Sequence, residues 1–254
     1  MTWRFLDSGG APGARQMAVD EALLEMVALG RSPPVLRLFA FDPVCLSLGR
    51  FQAYSDGSHG VDTVRRPSGG RAVLHASDLC YTVVAPLDDP SVGGRSRDSY
   101  CRIALALTHA LALLGARDVR FGPDREGHGR SKRPDLSGRA CFADIGPYEL
   151  TVGGVKTVGS AQVRRGGAFL QQGSLRLAAD LGLEARLLER SQPALSDILG
   201  RAVGYAEAAR TLRRAFAEAL ALTLEDSSLT AEEEALARAL EAIRYANPDW
   251  TRQR

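Results

Sequence analysis

The amino-acid sequence predicts an α+β fold, a largely antiparallel mixed β-sheet with helices packed against it. Three observations predict it. Strand-like stretches cluster in the first two thirds of the chain, mostly as short hairpins. Amphipathic helical stretches lie between and after them. The length of 254 residues suits one large domain or a domain and a half, and neither an internal repeat nor a clear linker divides it.

Taken in order, residues 3–7 read as a short strand and Gly9-Gly10-Ala11-Pro12-Gly13 as a loop. Ala14 to Leu29 has helical periodicity, with Met17, Leu24 and Val27 on one face. Asp20 falls on that face. A buried carboxylate needs partners, so Asp20 is expected to make a structural hydrogen bond to a neighbouring loop. Val35 to Phe39 and Cys45 to Gly49 read as strands around a turn at Asp42-Pro43. Asp62 to Arg66 is a further strand, broken by Pro67-Ser68-Gly69-Gly70, and Arg71 to His75 and Leu79 to Ala85 follow as strands. A long helix runs from about Ser96, placed to cap it, to Leu114, with Gly115 to end it. Gly122 to Arg139 has no apolar pattern and reads as a mobile or partner-facing loop. Tyr148 to Val152 and Val155 to Val163 form a hairpin turned at Gly153-Gly154, and Phe169 to Leu177 is another strand. Two amphipathic helices, roughly 204–222 and 231–246, close the chain. Thr230 and Glu233 make a capping box for the second.

Composition narrows the class. With 45% hydrophobic and 24% charged residues, the chain can bury a core without disulfides or a structural metal. A net charge of +2 gives no indication of nucleic-acid binding. Cys45, Cys80, Cys101 and Cys141 show no CxxC spacing and no zinc-like histidine pattern, so free thiols in a reducing compartment and no metal are expected. The N-terminal residues have no apolar run of a signal peptide, and Ile103 to Leu114 is too short to span a bilayer. The expectation is a soluble, cytoplasmic protein without nucleic-acid or membrane partners.

Of 32 basic residues, only Lys132 and Lys156 are lysines. A position needing nothing but positive charge would be Lys about 2 times in 32. Ammonium is a compact point charge and guanidinium a planar fork, so a retained lysine points to a need for the compact donor. Lys132 sits in the polar loop, whereas Lys156 sits in Gly153-Gly154-Val155-Lys156-Thr157-Val158-Gly159-Ser160-Ala161-Gln162. That segment lacks P-loop spacing, and no GxGxxG, HExxH or GxSxG occurs, which removes the main support for conventional nucleotide, zinc-protease and serine-hydrolase readings. In Arg65-Arg66-Pro67-Ser68-Gly69-Gly70-Arg71, the two glycines let backbone N–H groups approach a ligand, and three arginines suit a phosphate or carboxylate. His75 on its own reads as a structural histidine. Cys141 stands at the end of the polar loop, shortly before the Lys156 hairpin. A thiol beside a cation is the better nucleophile. Cys45, Cys80 and Cys101 lie among apolar residues and read as inert.

Together these segments resemble the biotin/lipoate ligase and lipoyl/octanoyl transferase family. The resemblance covers most of the chain. It is carried by Met17 to Leu24, Pro34 to Arg37, Leu46 to Gln52, the RRxxGG loop at Arg65 to Gly70, the lysine motif around Gly154, Lys156, Gly159, Ser160, Ala161 and Gln162, and the ending Asn247-Pro248-Asp249-Trp250-Thr251. The form Gly69-Gly70-Arg71-Ala72-Val73-Leu74-His75, with Ala140-Cys141-Phe142 and Tyr148-Glu149-Leu150, is similar to the ligase-A-like octanoyltransferases. Two departures are Cys80, read as a packing change, and Gln171-Gln172-Gly173, where a histidine often precedes the glycine.

The resemblance implies a class II aminoacyl-tRNA synthetase/biotin ligase-like catalytic domain over residues 1–254, with the C-terminal helices (about 204–246) part of the same unit and no accessory domain. It implies octanoyl transfer from acyl carrier protein to a lysine of a lipoyl-carrier domain, such as glycine cleavage H protein or a 2-oxoacid dehydrogenase E2. Cys141 would carry the acyl group as a thioester, and Lys156 would stabilise the charge on its carbonyl. Arg65, Arg66, Ser68, Gly69, Gly70, Arg71, His75, Gly159, Ser160 and Ala161 would form the substrate site. Arg125, Arg130, Lys132, Arg133 and Arg139 would steer acidic partners. No cofactor is needed, because a thioester is already activated. The alternatives are an ATP- and Mg-dependent lipoate ligase working through an acyl-adenylate, a carrier-to-carrier amidotransferase, and a non-catalytic acyl-binding module.

Overall fold

The computed structural model describes residues 1–54, 60–122, 149–188 and 192–253. The strands among these are β1 (Thr2–Ala11), β2 (Val35–Phe41), β3 (Cys45–Leu48), β4 (Asp62–Arg65), β5 (Val73–His75), β6 (Asp78–Pro86), β7 (Val119–Phe121), β8 (Leu150–Val152), β9 (Val155–Arg165), β10 (Ala168–Arg176) and β11 (Thr223–Asp226). The helices are α1 (Gly13–Ala28), α2 (Ser96–Leu113), α3 (Leu181–Leu188), α4 (Leu195–Leu199), α5 (Tyr205–Leu220), α6 (Ala231–Leu240) and α7 (Pro248–Arg252), with a π-helical turn at Glu241–Tyr245.

The main sheet has eight strands in the order β11-β1-β2-β6-β10-β9-β8-β7. Its β11-β1-β2 end is parallel, and every later pairing is antiparallel. A smaller sheet, β4-β3-β5, is parallel on one side of β3 and antiparallel on the other. The predicted architecture of a mixed, largely antiparallel sheet with packed helices is therefore what the chain adopts. Alternation along the strands splits the core in two. Tyr81, Val83, Phe169 and Leu175 face α2 and α5, where Ile103, Leu107, Leu212 and Phe216 meet them. Cys80, Val84, Ala168 and Leu170 face α1, which is backed in turn by α6. Among the described residues no helix is long and apolar enough to cross a membrane.

Several elements depart from expectation. Gly9, Gly10 and Ala11 continue β1 rather than forming a loop, because parallel partners Ala40 and Phe41 on β2 take up Gly10 and Ala11 after a register slip past Asp7. β5 starts at Val73 and not at Arg71, since the Arg71 carbonyl is engaged by a side chain (below). At the start of α2 it is Asp98 that accepts from the Arg95 N–H at 2.9 Å, so the cap lies one residue before Ser96. The expected helix 231–246 is α6 followed by the π turn, and its Thr230–Glu233 capping box is present, with bonds of 2.8 and 3.1 Å. Asp20 bonds to strands, not to a loop: Arg37 Nη1 (2.6 Å), Thr82 Oγ1 (2.8 Å) and Gln172 Nε2 (2.6 Å) all reach it. The reason is that α1 lies against the sheet, so its inward face meets β2, β6 and β10 directly. β7, β11, α3, α4 and α7 have no counterpart in the sequence reading. The two strands are short edges with weak alternation, and the three helices span eight residues or fewer.

Candidate active site

Two segments carry the residues singled out by sequence: β9, with Lys156, and the loop between β4 and β5, with the two arginines. β9 and β8 form a hairpin in which Leu150 pairs with Val158, but Thr151 pairs with Lys156. One extra residue, Thr157, is thus inserted on β9. Such a bulge re-aims the side chain beyond it. Regular alternation would put Lys156 on the face of Val158, in the α2/α5 core. The bulge places it on the face of Thr151 instead, along with Gly159 and Ala161. Ser160 stays on the α2/α5 face, where its Oγ lies 2.7 Å from the Tyr81 hydroxyl, a phenol that burial pushes up to about 12. The lysine motif is therefore divided between two faces of one strand.

Lys156 is only 2% exposed, and its ammonium donates to Glu149 Oε1 at 2.6 Å. A buried cation without a counter-charge would be strongly disfavoured. Glu149 precedes β8 on the face of Thr151, which is what lets the two charges meet. The sequence reading quoted Glu149 within a motif and assigned it no role. Its position opposite Lys156 follows from the bulge, which the residue pattern does not disclose.

The loop is built from its own arginines. Arg65 is fully buried and donates to the carbonyls of Gly49 (2.8 Å), Gln52 (2.6 Å) and Thr251 (2.8 Å). Trp250 Nε1 answers with a 2.9 Å bond to the Arg65 carbonyl, and the Arg50 guanidinium stacks 4.3 Å over the Trp250 ring. These bonds tie the α7 ending to the loop. Arg66 Nη2 donates to the carbonyls of Gly69 and Arg71, both at 2.9 Å, and Nη1 to the Ser47 carbonyl (2.7 Å) and Ser47 Oγ (2.8 Å). Ser68 Oγ donates to Gln172 Oε1 at 2.6 Å. Gly70, at φ +93°, lies against Ala161: a Cβ added to it would stand 3.9 Å from the Ala161 Cβ. Gly49 backs the loop so closely that a Cβ there would sit 1.8 Å from the Gly70 carbonyl oxygen. The structure thus brings Arg66, Ser68, Gly69 and Gly70 beside the Gly159–Ala161 part of β9.

His75 is buried beneath this loop. Its Nε2 lies 2.7 Å from Ser47 Oγ and its Nδ1 2.6 Å from Asp78 Oδ2, which also accepts from Ser174 Oγ at 2.5 Å. Cys80 Sγ is 3.4 Å from both Nδ1 and Oδ2, so this core-packed thiol also touches the His75–Asp78 pair. His75, Asp78 and Cys80 hold three ligating atoms within 4.8 Å of one another. Those atoms are hydrogen-bonded together, and burial followed by Asp78 pushes the Cys80 thiol well up, away from the thiolate a metal needs. Burial does the same to Cys45, and both thiols are the inert ones sequence expected. Cys141 lies outside the described residues, as do Arg125, Arg130, Lys132, Arg133 and Arg139. Ser47 and Asp78 were not singled out by sequence, since nothing local distinguishes them, and Gln172, noted there as a departure from the family, bonds Ser68 and Asp20.

Comparison with known proteins bears on this geometry. The description "Lipoyl protein ligase A/B catalytic domain" matches residues 12–220. The chain is 39% identical to the octanoyltransferase LipM of Kyrpidia tusciae over 274 residues, covering 98% of each protein. It is 37% identical to the LipM of Symbiobacterium thermophilum (98% of this chain, 97% of the relative) and 32% identical to that of Bacillus subtilis (100% and 99%). Among solved structures, protein Ta0514 of T. acidophilum with bound lipoic acid superposes with a TM-score of 0.81 at 26% identity, over 99% of both chains. Lipoate-protein ligase A bound with ATP shares the fold, with a TM-score of 0.77 at 23% identity.

Proposed function

The chain belongs to the lipoyl protein ligase A/B catalytic domain family, and from that premise we propose that it is an octanoyltransferase of protein lipoylation that works through Cys141 and Lys156. The observation that carries this reading is near full-length likeness to octanoyltransferases at 32–39% identity. The bulge that turns Lys156 toward Gly159, Ala161 and the arginine loop supports it.

The donor is octanoyl-acyl carrier protein. The Cys141 thiol gives up its proton and attacks the thioester carbonyl, a C–S bond to Cys141 forms, the bond to the carrier's sulfur breaks, and the carrier leaves as a thiol with the proton Cys141 gave up. One thioester replaces another, so the step is near energetic balance and ATP is not required. The amine of a lysine on a lipoyl domain, such as glycine cleavage H protein or an E2, then attacks the acyl-enzyme. A C–N bond forms, the C–S bond breaks, and Cys141 is released as a thiol with the proton the amine gives up. In both steps the carbonyl oxygen gains negative charge. Lys156, paired with Glu149, donates to that oxygen. Burying about seven carbons of the octanoyl chain, at about 0.8 kcal/mol each, holds the donor by something on the order of 5 kcal/mol. The protein functions as one catalytic unit, without a cofactor, in the reducing cytoplasm, where Cys141 stays free.

Intact-mass measurement tests the reading. Incubation with octanoyl-acyl carrier protein adds one octanoyl mass that hydroxylamine removes. Cys141→Ala abolishes the adduct and Cys45→Ala keeps it. Pyrophosphate release on adding lipoate and ATP, with no adduct from the carrier thioester, would instead identify a ligase.

A further inference from the structure

Beneath the arginine loop runs a line of polar side chains that the acyl-transfer steps do not use: Ser174, Asp78, His75 and Ser47, ending on Arg66. Donor and acceptor chemistry fixes its direction at the Arg66 and Asp78 contacts. A guanidinium only donates, so at the 2.8 Å contact Arg66 gives and Ser47 Oγ accepts. A carboxylate only accepts, so at 2.6 Å the His75 Nδ1–H gives to Asp78. In the tautomer whose one proton is on Nδ1, Nε2 is an acceptor, and the Ser47 hydroxyl 2.7 Å away gives to it. Ser174 gives to the same Asp78 oxygen. In that tautomer every proton in the line points toward Asp78. Phe41 stacks on the imidazole at 4.1 Å and holds its plane.

Both ends of the line lie at the site. Ser174 pairs across the sheet with Gly159. Arg66 bonds the carbonyls of Gly69 and Arg71, on either side of Gly70. We infer that Ser47, His75 and Asp78 are positioning residues, a one-way hydrogen-bond chain that orients the Arg66 guanidinium and through it the Gly69–Arg71 backbone that receives the acyl donor. The arrangement has the composition of an Asp–His–Ser triad, but the hydroxyl is 0% exposed and already accepts from Arg66, so it orients a loop and attacks nothing. The inference rests on the transferase reading for the donor's identity, though not for the direction of the chain.

Two measurements test it. In protein labelled with 15N-histidine, the His75 signal, assigned by its loss in His75→Gln, is that of the Nδ1–H tautomer, and Ser47→Ala shifts Nε2. A ring protonated on Nε2 alone, or an Nε2 signal indifferent to Ser47→Ala, overturns the inference whether or not the protein forms an acyl adduct. In single-turnover acylation, Ser47→Ala raises the half-saturating octanoyl-acyl carrier protein concentration about tenfold, while the saturating rate stays within about twofold. Ser47→Cys falls between. Arg66→Lys has a similar effect, and adding Asp78→Asn to it changes little, because the two act through one line although they do not touch. Fully multiplicative effects of Arg66→Lys and Asp78→Asn, or unchanged half-saturation in Ser47→Ala, overturn the inference. A wild-type protein that forms no adduct counts against the transferase reading alone.

Discussion

The arginine loop and the lysine strand are both rich in buried cationic chemistry, yet they use it differently. Arg65 and Arg66 spread their forks over backbone carbonyls of their own chain, from Gly49 to Thr251. Lys156 points its ammonium at the carboxylate of Glu149. A planar guanidinium with five fixed donors is suited to stapling several carbonyls at once, whereas a single ammonium can turn from a carboxylate to a substrate oxygen. The difference gives a physical reason for a lysine at position 156 in a chain with two lysines among 32 basic residues. Arginine supplies the frame, and at position 156 the frame serves a compact charge.

That comparison can be broken most decisively at Lys156. Lys156→Arg keeps the charge beside Glu149 but replaces the point donor with a fork. Transfer activity is expected to drop by about 10²-fold or more, as when a single oxyanion donor is removed, with the near-UV circular dichroism of the wild type retained. Wild-type turnover in this variant would remove Lys156 from the chemistry. The frame is tested next by Gly49→Ala. The added Cβ, 1.8 Å from the Gly70 carbonyl oxygen, forces the loop outward. Urea unfolding is expected to show a loss of about 1–3 kcal/mol, typical of overpacking, with slower acylation alongside. An unchanged midpoint would mean the loop is not held against Gly49.

The smallest effect sharpens the account of how the frame is closed. Glu21 on α1 binds Tyr245 Oη (2.6 Å), Arg244 and Arg165. Burial would raise its pKa, but these three bonds outweigh that and leave it below the ordinary carboxylate range. A depressed carboxyl stabilises the fold above its unfolded pKa, and that contribution is lost as pH falls through the folded one. Glu21→Gln should therefore be less stable than wild type by about 1 kcal/mol at neutral pH. The gap should close as pH drops below about 4. A gap that widens in acid would reverse the sign and sink the assignment.

Much of the fold was legible before the structure. The hairpin around Gly153-Gly154, the long α2, the Thr230–Glu233 box and the strands β2, β3 and β6 are written in periodicity and turn residues, which act over a few positions. β7 and β11 were not legible, because a three- or four-residue edge becomes a strand only when a neighbour pairs with it. In the candidate site, the lysine economy and the RRxxGG loop pointed to two segments that the fold brings together. The forks of Arg65 and Arg66 are engaged with carbonyls of this chain, several of them distant in sequence, a use the motif alone does not disclose. Asp20 was expected to be bonded, but its partners on three different strands were out of reach of any local argument.

By itself, then, the sequence determined the α+β class, the segments that meet in the candidate site and the family, because short-range patterns and motif residues encode these. Tertiary structure alone decided that Thr157 bulges and so turns Lys156 toward Gly159 and Ala161, that Glu149 meets its ammonium, and that His75 lies between Ser47 and Asp78. The physical reason is the same in each case. Which face a side chain takes, and which polar group it finds there, depends on strand register and on residues brought together from across the chain.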